Sequence, residues 1–299
     1  MKQFLSLFIL FISTLALGQN RYIEDQFELK DRTTEIYATK DGEQLSLDLY
    51  QPLKDTMNSR PLIVFMHGGG FSGGSPRSEG EVKFAEAAAK KGYVVAQISY
   101  RLTRKGANFG CDFNAAGKVE TFRKAGEDFL DAVAFLIENK SRFKIDPEKL
   151  IVGGSSAGAE AVLNAVYNRP LLLKNARKYD HLNFNGVFSL AGALLDARYI
   201  NKENAVPAVF FHGTDDNLVP YATAPHHFCE PSAPGYLILD GSKTIAERLE
   251  KNGSSYLLVT YEGAGHEISS MPINEFPMVF SFFKEVFLNN EWQQTHVLK

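Results

Sequence analysis

Residues 150–158 have the sequence LIVGGSSAG, in which a short apolar run leads into a turn of glycine and serine. The continuous apolar run predicts a strand buried on both faces of a sheet. Gly154 and Gly158 flank Ser156 with one residue between on each side, a spacing typical of a tight strand-to-helix turn with a strained central serine. Such a turn exposes the serine hydroxyl beside a helix N-terminus, whose partial positive charge stabilises a developing anion. The stretch therefore predicts a nucleophilic Ser156, although glycine-serine turns before helices are also common structural features.

Further strands and helices alternate along the rest of the chain. Alternating leucines predict a half-exposed strand at 45–49, and apolar residues three and four positions apart predict a long helix at 122–136. Ser242 and Gly253 bracket another predicted helix as its N-cap and C′ residues. Repeated units of this length predict an α/β fold, with a mostly parallel central sheet and helices on both faces. The predicted buried strands lie at residues 62–66, 93–98, 150–152, 187–191, 208–211 and 256–261.

A run of glycines, HGGGF at residues 67–71, directly follows one of these predicted strands. Sites in parallel sheets gather at the carboxyl ends of the strands, so this run is expected beside the serine turn. The backbone N–H groups of Gly68, Gly69 and Ala157 then form a predicted oxyanion hole, which a substrate reaches because no side chain intervenes. In that case His67 is expected to brace the loop and not to titrate in catalysis. A mobile loop is the structural alternative for three consecutive glycines.

Two more polar segments each follow a predicted buried strand. HGTDDNLVP at 212–220 offers a carboxylate, with Asp215 and Asp216 both open on spacing alone, and GAGHE at 263–267 offers His266. A carboxylate that accepts a hydrogen bond from a histidine fixes the histidine tautomer and stabilises the imidazolium formed during catalysis. Taken singly, these segments also fit an Asp-rich turn and a solvated loop histidine. Taken together, the chain order serine, acid, histidine, each after its own strand, predicts a catalytic triad.

Three further segments accompany HGGGF and GSSAG: LDLY at 47–50 with Pro52, SYRL at 99–102, and FKIDP at 143–147. On these residues the chain resembles α/β-hydrolases of the carboxylesterase type, near the hormone-sensitive-lipase-like and the feruloyl or acetyl esterase groups, over most of residues 40–290. The resemblance implies the α/β-hydrolase fold. The turn reads GSSAGA, whereas such relatives often have an acidic residue or histidine before the nucleophile and a further glycine after it, which leaves the subfamily open.

The resemblance also implies a role for individual residues. In such proteins the acid lies in a pattern like HGxxDxxVP, which selects the second of the two aspartates. The implied reaction is acyl transfer in two steps through an acyl-enzyme, and it requires no metal or organic cofactor. The implied site residues are Ser156, Asp216 and His266 as the triad, and Gly68, Gly69 and Ala157 as the oxyanion hole.

Composition and charge limit the class of protein. A chain of 299 residues with 44% hydrophobic content can bury one large core, so we expect a single domain at 19–299, with short cap loops near 103–121 and 221–240. Its 32 basic and 35 acidic residues give a net charge of −3, which offers no electrostatic surface for nucleic acid. No CxxC spacing or Cys/His cluster suggests a metal site, and the adjacent His226 and His227 are expected at the surface.

The first eighteen residues are typical of a signal peptide. Lys2 precedes an apolar run at 4–16, which is shorter than the roughly 20 residues that span a bilayer, and small residues suited to cleavage follow. We therefore expect residues 1–18 to be removed and the mature protein to be secreted or periplasmic, without stable membrane insertion. An uncleaved anchor or a buried helix is the alternative. In an oxidising compartment, Cys111 and Cys229 either form a disulfide or remain two unpaired thiols.

Several functional interpretations are open on the sequence. The first is a secreted serine ester hydrolase whose partner is a small-molecule or glycan-linked ester. A serine peptidase of the prolyl-oligopeptidase type uses the same triad order but usually has a large N-terminal propeller, whereas here only about twenty residues separate the signal peptide from the first predicted core strand. A lipase is expected to have a longer amphipathic lid, and a non-catalytic binding domain is expected to have lost a triad residue. The oligomeric state is open.

Overall fold

A computed structural model describes residues 20–299, and the predicted signal peptide at 1–18 lies outside the described residues. The strands are β1 (Thr33–Lys40), β2 (Glu43–Tyr50), β3 (Arg60–Met66), β4 (Val94–Ile98), β5 (Ile145–Ser155), β6 (Gly186–Leu190), β7 (Ala193–Leu194), β8 (Ala208–Gly213), β9 (Thr223–Pro225), β10 (Ile238–Gly241), β11 (Tyr256–Tyr261) and β12 (Gln294–Leu298). Nine of them form a central sheet in the order β1-β2-β4-β3-β5-β6-β8-β11-β12. β2 pairs antiparallel with β1 and β4, and the other neighbours are parallel. This mostly parallel sheet confirms the predicted α/β class.

The central strands are continuous apolar runs because helices cover both faces of the sheet. On β3, Leu62, Val64 and Met66 pack into one hydrophobic layer, whereas Ile63 and Phe65 pack into the other. The alternation follows from the two-residue period of a strand. The helices are α1 (Glu79–Lys90), α2 (Ala115–Glu138), α3 (Lys140–Phe143), α4 (Ala157–Tyr167), α5 (Arg169–Leu172), α6 (Ser242–Lys251) and α7 (Phe276–Phe282), which a π-helical segment (Phe283–Leu288) continues.

The two hydrophobic layers have different helices. Phe129 of α2, Leu163 of α4 and Leu249 of α6 belong to the layer that contains Leu62. Phe84 of α1 and Phe280 of α7 belong to the other layer, with their rings stacked 5.9 Å apart between centroids. Burying these side chains stabilises the sheet from both sides and fixes the carboxyl ends of its parallel strands at one edge.

The helix predicted between Ser242 and Gly253 is present, but its N-terminus differs from the prediction. Gly241 is the N-cap, Ser242 is the first helical residue, and its hydroxyl lies 2.8 Å from Nδ1 of His212. The N-cap assignment of Ser242 was therefore wrong, because a buried tertiary partner uses the hydroxyl. At the other end, Gly253 has a φ of 75° and donates to Glu250, as expected of a C′ residue.

The segments 103–121 and 221–240 contact each other at the carboxyl edge of the sheet. A disulfide joins Cys111 to Cys229 across 118 positions of sequence, with Cα atoms 5.3 Å apart. The buried Lys118 ammonium donates a hydrogen bond of 2.9 Å to the carbonyl of Gly235, and Gly235 N donates one of 2.8 Å to Cys111 O. One covalent bond and several hydrogen bonds thus hold the two segments together.

Candidate active site

Ser156 alone makes the turn from β5 to α4. Its backbone has φ 49° and ψ −121°, a conformation that an L-residue adopts only under strain. A Cβ on Gly154 would lie 2.5 Å from the carbonyl carbon of Gly158, and a Cβ on Gly158 would lie 2.2 Å from Met66 O. Both positions therefore require glycine, because any side chain would overlap the backbone of a neighbouring segment.

A series of hydrogen bonds runs from Ser156 through His266 to Asp216. Ser156 Oγ lies 2.7 Å from His266 Nε2, and His266 Nδ1 lies 2.7 Å from Asp216 Oδ2. The backbone N–H groups of Leu218 and Val219 each donate a bond of 2.9 Å to the other oxygen of Asp216. His266 is thus oriented on one side by a carboxylate and faces the serine hydroxyl on the other.

Asp215, the alternative acid, lies outside this series. Its side chain is exposed and accepts a hydrogen bond of 3.0 Å from the Thr214 hydroxyl, whereas Asp216 is 1% exposed. The choice between the two aspartates is therefore geometric, because only the second carboxylate reaches the histidine.

A second histidine, His212, also contacts Asp216. Its Nε2 lies 3.3 Å from Asp216 Oδ2 and 3.1 Å from Val219 O, so the proton belongs on Nε2 and Nδ1 accepts from the Ser242 hydroxyl. Burial alone would raise the pKa of Asp216, but the hydrogen bonds from His212 and His266 lower it well below its ordinary value. Asp216 is thus a carboxylate throughout the neutral pH range. His212 and Ser242 were not among the predicted site residues.

The loop of consecutive glycines lies directly against the serine turn. A Cβ on Gly68 would lie 3.2 Å from Cβ of Ser156, and Gly69, with a φ of 117°, has no space for one. His67 is 2% exposed, stacks on Tyr100 at 4.6 Å between centroids, and receives a hydrogen bond of 3.0 Å at its carbonyl from the tyrosine hydroxyl. Burial lowers the pKa of His67, which is consistent with a neutral ring that braces the loop.

A cavity of about 320 Å³ opens above Ser156. The glycine loop and Ala157 form one side, and Phe109, Leu218 and Val219 give the other side an apolar surface. A larger cavity of about 510 Å³ lies among residues such as Asp196, Thr223 and Arg248, but no residue of the hydrogen-bonded series lines it. The smaller cavity is therefore the candidate site.

Glu160 and His226 also line this cavity, and the sequence did not place them there. The prediction of a surface position was wrong for His226, whose ring is 1% exposed because Phe109 and Phe122 pack against it. His227 is half-buried and also lines the cavity. His226 Nε2 lies 3.1 Å from Glu160 Oε1. Burial raises the pKa of Glu160 to about 8 and lowers that of His226 to about 3, so the contact joins two neutral groups near pH 7.

Within residues 20–299, no cluster of three or more His, Cys, Asp or Glu side chains is arranged to bind a metal ion. Over the same part of the chain, no helix combines the length and apolar character needed to cross a membrane.

The sheet order, the helices on both faces and the serine turn after a central strand define an α/β-hydrolase fold. Two solved structures of a Thermogutta terrifontis esterase share this fold. The form phosphonylated by cyclosarin has a TM-score of 0.62 and 19% identity, covering 90% of this chain and 97% of that chain. A butyrate-bound form also has a TM-score of 0.62, with 20% identity, and covers 85% of this chain and 93% of that chain.

Sequence comparison finds a family model and relatives that match part of the chain. Residues 47–193 match the BD-FAE family model. Gut esterase 1 of Caenorhabditis briggsae is 32% identical over 127 residues, which are 42% of this chain and 22% of that protein, so the chain spans less than a quarter of this relative. The chain therefore has the α/β-hydrolase fold, and the relatives and solved structures that it resembles include esterases.

Proposed function

We propose that this protein is a serine ester hydrolase that works through an acyl-enzyme intermediate. The main support is the hydrogen-bonded series Ser156, His266 and Asp216, with both side-chain contacts at 2.7 Å. A serine within hydrogen-bond reach of an imidazole that a carboxylate orients is the arrangement that activates a serine nucleophile. The esterase relatives favour the same reaction class.

The proposed reaction begins when Ser156 Oγ attacks the ester carbonyl carbon and His266 Nε2 takes the hydroxyl proton. The carbonyl oxygen takes the electron pair of the C=O π bond and becomes an oxyanion, which accepts hydrogen bonds from backbone N–H groups of Gly68, Gly69 and Ala157. As the carbonyl re-forms, the C–O bond to the alcohol breaks and His266 gives its proton to the departing oxygen. Water then attacks the acyl-enzyme by the same steps and releases the carboxylic acid.

Short-chain or carbohydrate-linked esters are the proposed substrates. A cavity of about 320 Å³ suits a small acyl group better than a long lipid chain. The butyrate-bound neighbour is an esterase with the same fold, which supports the same size class. Segments 103–121 and 221–240, which supply Phe109 and His226 to the cavity, act in this proposal as cap loops of a single domain at 19–299.

The proposal includes secretion or transport to the periplasm. The predicted signal peptide at residues 1–18 gives the route, and the disulfide between Cys111 and Cys229 fits an oxidising compartment. Expression of the full chain, followed by mass measurement of the exported product, tests this proposal. The expected product lacks the first eighteen residues, and a product confined to the cytosol with its first residues intact contradicts it.

The first test of the activity is hydrolysis of p-nitrophenyl acetate, butyrate and octanoate by the mature chain, beside Ser156→Ala. We expect turnover that falls with chain length and that drops on the order of a thousandfold or more in the variant. A fluorophosphonate probe should add its mass to the peptide that contains Ser156 and to none in Ser156→Ala. If neither turnover nor labelling depends on Ser156, the protein is a non-catalytic binding domain. If Ser156 is labelled but only peptide substrates are cleaved, it is a peptidase.

A further inference from the structure

Glu160 and His226 are buried polar groups that the proposed reaction does not use. They are 2% and 1% exposed. Although Glu160 Oε1 and His226 Nε2 lie 3.1 Å apart, their alignment is not that of a hydrogen bond, and these atoms together with His226 Nδ1 lack any hydrogen-bond partner. Buried polar groups without a hydrogen-bond partner lose their hydration without compensation. Folded proteins therefore seldom keep such groups unless a ligand or water supplies the missing hydrogen bond.

The pair lies close to the nucleophile. Glu160 lies on α4, four residues after Ser156 at the N-cap, which is just over one helical turn or about 6 Å along the helix axis. Both Glu160 and His226 line the cavity that contains Ser156. Phe109 and Phe122 contact the His226 ring edge-on, at 5.4 Å and 6.1 Å between centroids, and hold it in place. The cavity thus has an apolar wall with a fixed polar patch.

The charge of this patch limits what it can bind. Near pH 7 the Glu160 carboxyl keeps its proton and the His226 ring is neutral, because burial disfavours the charged form of each group. A neutral carboxyl donates one hydrogen bond and accepts others, and a neutral imidazole also does both. A substrate hydroxyl matches this set, since it donates one bond and accepts one. A carboxylate or an ammonium group would instead lose its hydration on entering this desolvated site and would find no charged partner in the pair itself.

We propose that Glu160 and His226 form a specificity subsite that hydrogen-bonds a hydroxyl group of the substrate, so that the preferred substrates are neutral esters with a hydroxyl a few bonds from the ester carbon. This inference rests on the proposed esterase function and names its substrate class. The hydroxyl belongs either to the acyl group, as in a hydroxy acid, or to the alcohol, as in a polyol or sugar. An ester without this hydroxyl leaves the buried pair unpaired and is therefore bound less well.

Two matched pairs of esters test the subsite. On the acyl side, p-nitrophenyl 3-hydroxybutyrate is compared with p-nitrophenyl butyrate; on the alcohol side, glycerol 1-monobutyrate is compared with propyl butyrate in a pH-stat. Each ratio of kcat/KM is divided by the ratio of the alkaline hydrolysis rates. We expect the wild type to favour the hydroxylated ester by about tenfold in one pair, which identifies the side of the ester that the subsite contacts.

Variants assign the preference to the pair. Glu160→Met and His226→Phe, which keep side-chain size and remove the hydrogen-bonding groups, should each bring the ratio to within about twofold of one. Glu160→Gln, which keeps a donor and an acceptor, should retain a preference. Two apolar variants at different positions are used so that a folding defect in one, monitored by near-UV circular dichroism, leaves the other as the test.

The outcomes separate the two proposals. A wild type that hydrolyses all four esters without any preference, or a preference that survives both apolar variants, overturns the subsite and leaves the esterase function intact. Wild-type rates equal to those of Ser156→Ala on every ester overturn the esterase function and the subsite with it.

Discussion

Two pairs of a carboxyl group and a histidine lie at one cavity, and they differ in almost every contact. His266 of the first pair lines the cavity, as do both Glu160 and His226 of the second. Asp216 receives hydrogen bonds from two backbone N–H groups and from His266, and Nε2 of His212 lies 3.3 Å from it. Glu160 lies against His226 without an aligned hydrogen bond. The two carboxyl groups are equally buried, with 1% and 2% of each residue exposed.

The contrast shows that burial alone does not decide the charge of these groups, because hydrogen-bond donors can keep a buried carboxyl ionised. The pKa of Asp216 is lowered despite burial, because hydrogen-bond donors and the nearby imidazoles stabilise its anion, whereas burial without aligned donors raises the pKa of Glu160 to about 8. One pair is thus suited to stabilise a charged imidazolium, and the other to contact a neutral group. Each prediction below changes one feature of this contrast, beginning with the largest expected effect.

The largest effect is expected from Asp216→Asn. The amide keeps the shape of the side chain but removes the anion, so His266 loses the acceptor that fixes its tautomer and stabilises its charged form. We expect kcat for p-nitrophenyl butyrate to fall about 10⁴-fold, which corresponds to about 5 kcal/mol of activation free energy.

The neighbouring aspartate offers a matched control. Asp215→Asn makes the same chemical change one residue away, on an exposed side chain that faces Thr214. It should retain wild-type kcat within about twofold, since surface substitutions of this kind have small effects. Comparable losses in both variants would contradict the assignment of Asp216 as the orienting acid.

The next effect concerns the segment that carries His226, which lies three residues from Cys229. Replacing Cys111 and Cys229 by alanine frees a loop of 118 positions, so the unfolded chain gains entropy and the free energy of unfolding should fall by about 4 kcal/mol. Thermal unfolding of the double variant, compared with wild type with and without reductant, measures this loss. A larger rise in amide hydrogen exchange around His226 than around His266 would strengthen the difference between the two pairs. Equal melting temperatures in all three samples would show that the bond adds no stability.

The proposed triad could be put forward from the sequence because each of its residues follows a buried strand. Ser156, Asp216 and His266 come directly after apolar runs, and parallel strands bring such positions to one edge of the sheet. Spacing did not distinguish Asp215 from Asp216, because the two are adjacent and only the folded loop shows which carboxylate turns inward. Similarity to known motifs was needed for that choice.

Other features depended on contacts distant in sequence. His226 is buried because its segment is joined to the one around Cys111, and nothing near His226 in the sequence indicates this. Serine is a common residue type at N-caps, yet the Ser242 hydroxyl contacts His212, thirty residues earlier. The edge strands β1 and β12 were not predicted, since their exposed or half-buried residues lack a continuous apolar run.

A third prediction uses the raised pKa of Glu160. Its folded value of about 8 lies above the ordinary value of 4.5, so the folded state keeps a proton that the unfolded chain loses between these pH values. The contribution of Glu160 to stability is therefore complete below pH 4.5 and is lost as pH rises through 8. Glu160→Gln removes this dependence, so its unfolding free energy relative to wild type should rise by about 3 to 4 kcal/mol between pH 5 and pH 8.

Urea unfolding at several pH values measures this difference. The charged or titratable groups around Glu160 are unchanged in the variant: His226, His227, His266, Asp216, Lys118 and Tyr100. A difference that stays constant from pH 5 to pH 8 would mean that Glu160 is ionised in the folded protein. Glu160 and Asp216 would then both be ionised, and the two pairs would not differ in charge.

The smallest effect is expected from Ser242→Ala, which acts on Asp216 through His212. The Ser242 hydroxyl holds Nδ1 of the ring at 2.8 Å, and Nε2 of the same ring lies 3.3 Å from the carboxylate. Without the hydroxyl the ring is less firmly oriented and its bond to Asp216 weakens, so the pKa of Asp216 should rise. We expect kcat to fall about threefold, less than 1 kcal/mol. A lower melting temperature with an unchanged kcat would make Ser242 a packing residue and would leave the charge of Asp216 to its remaining donors.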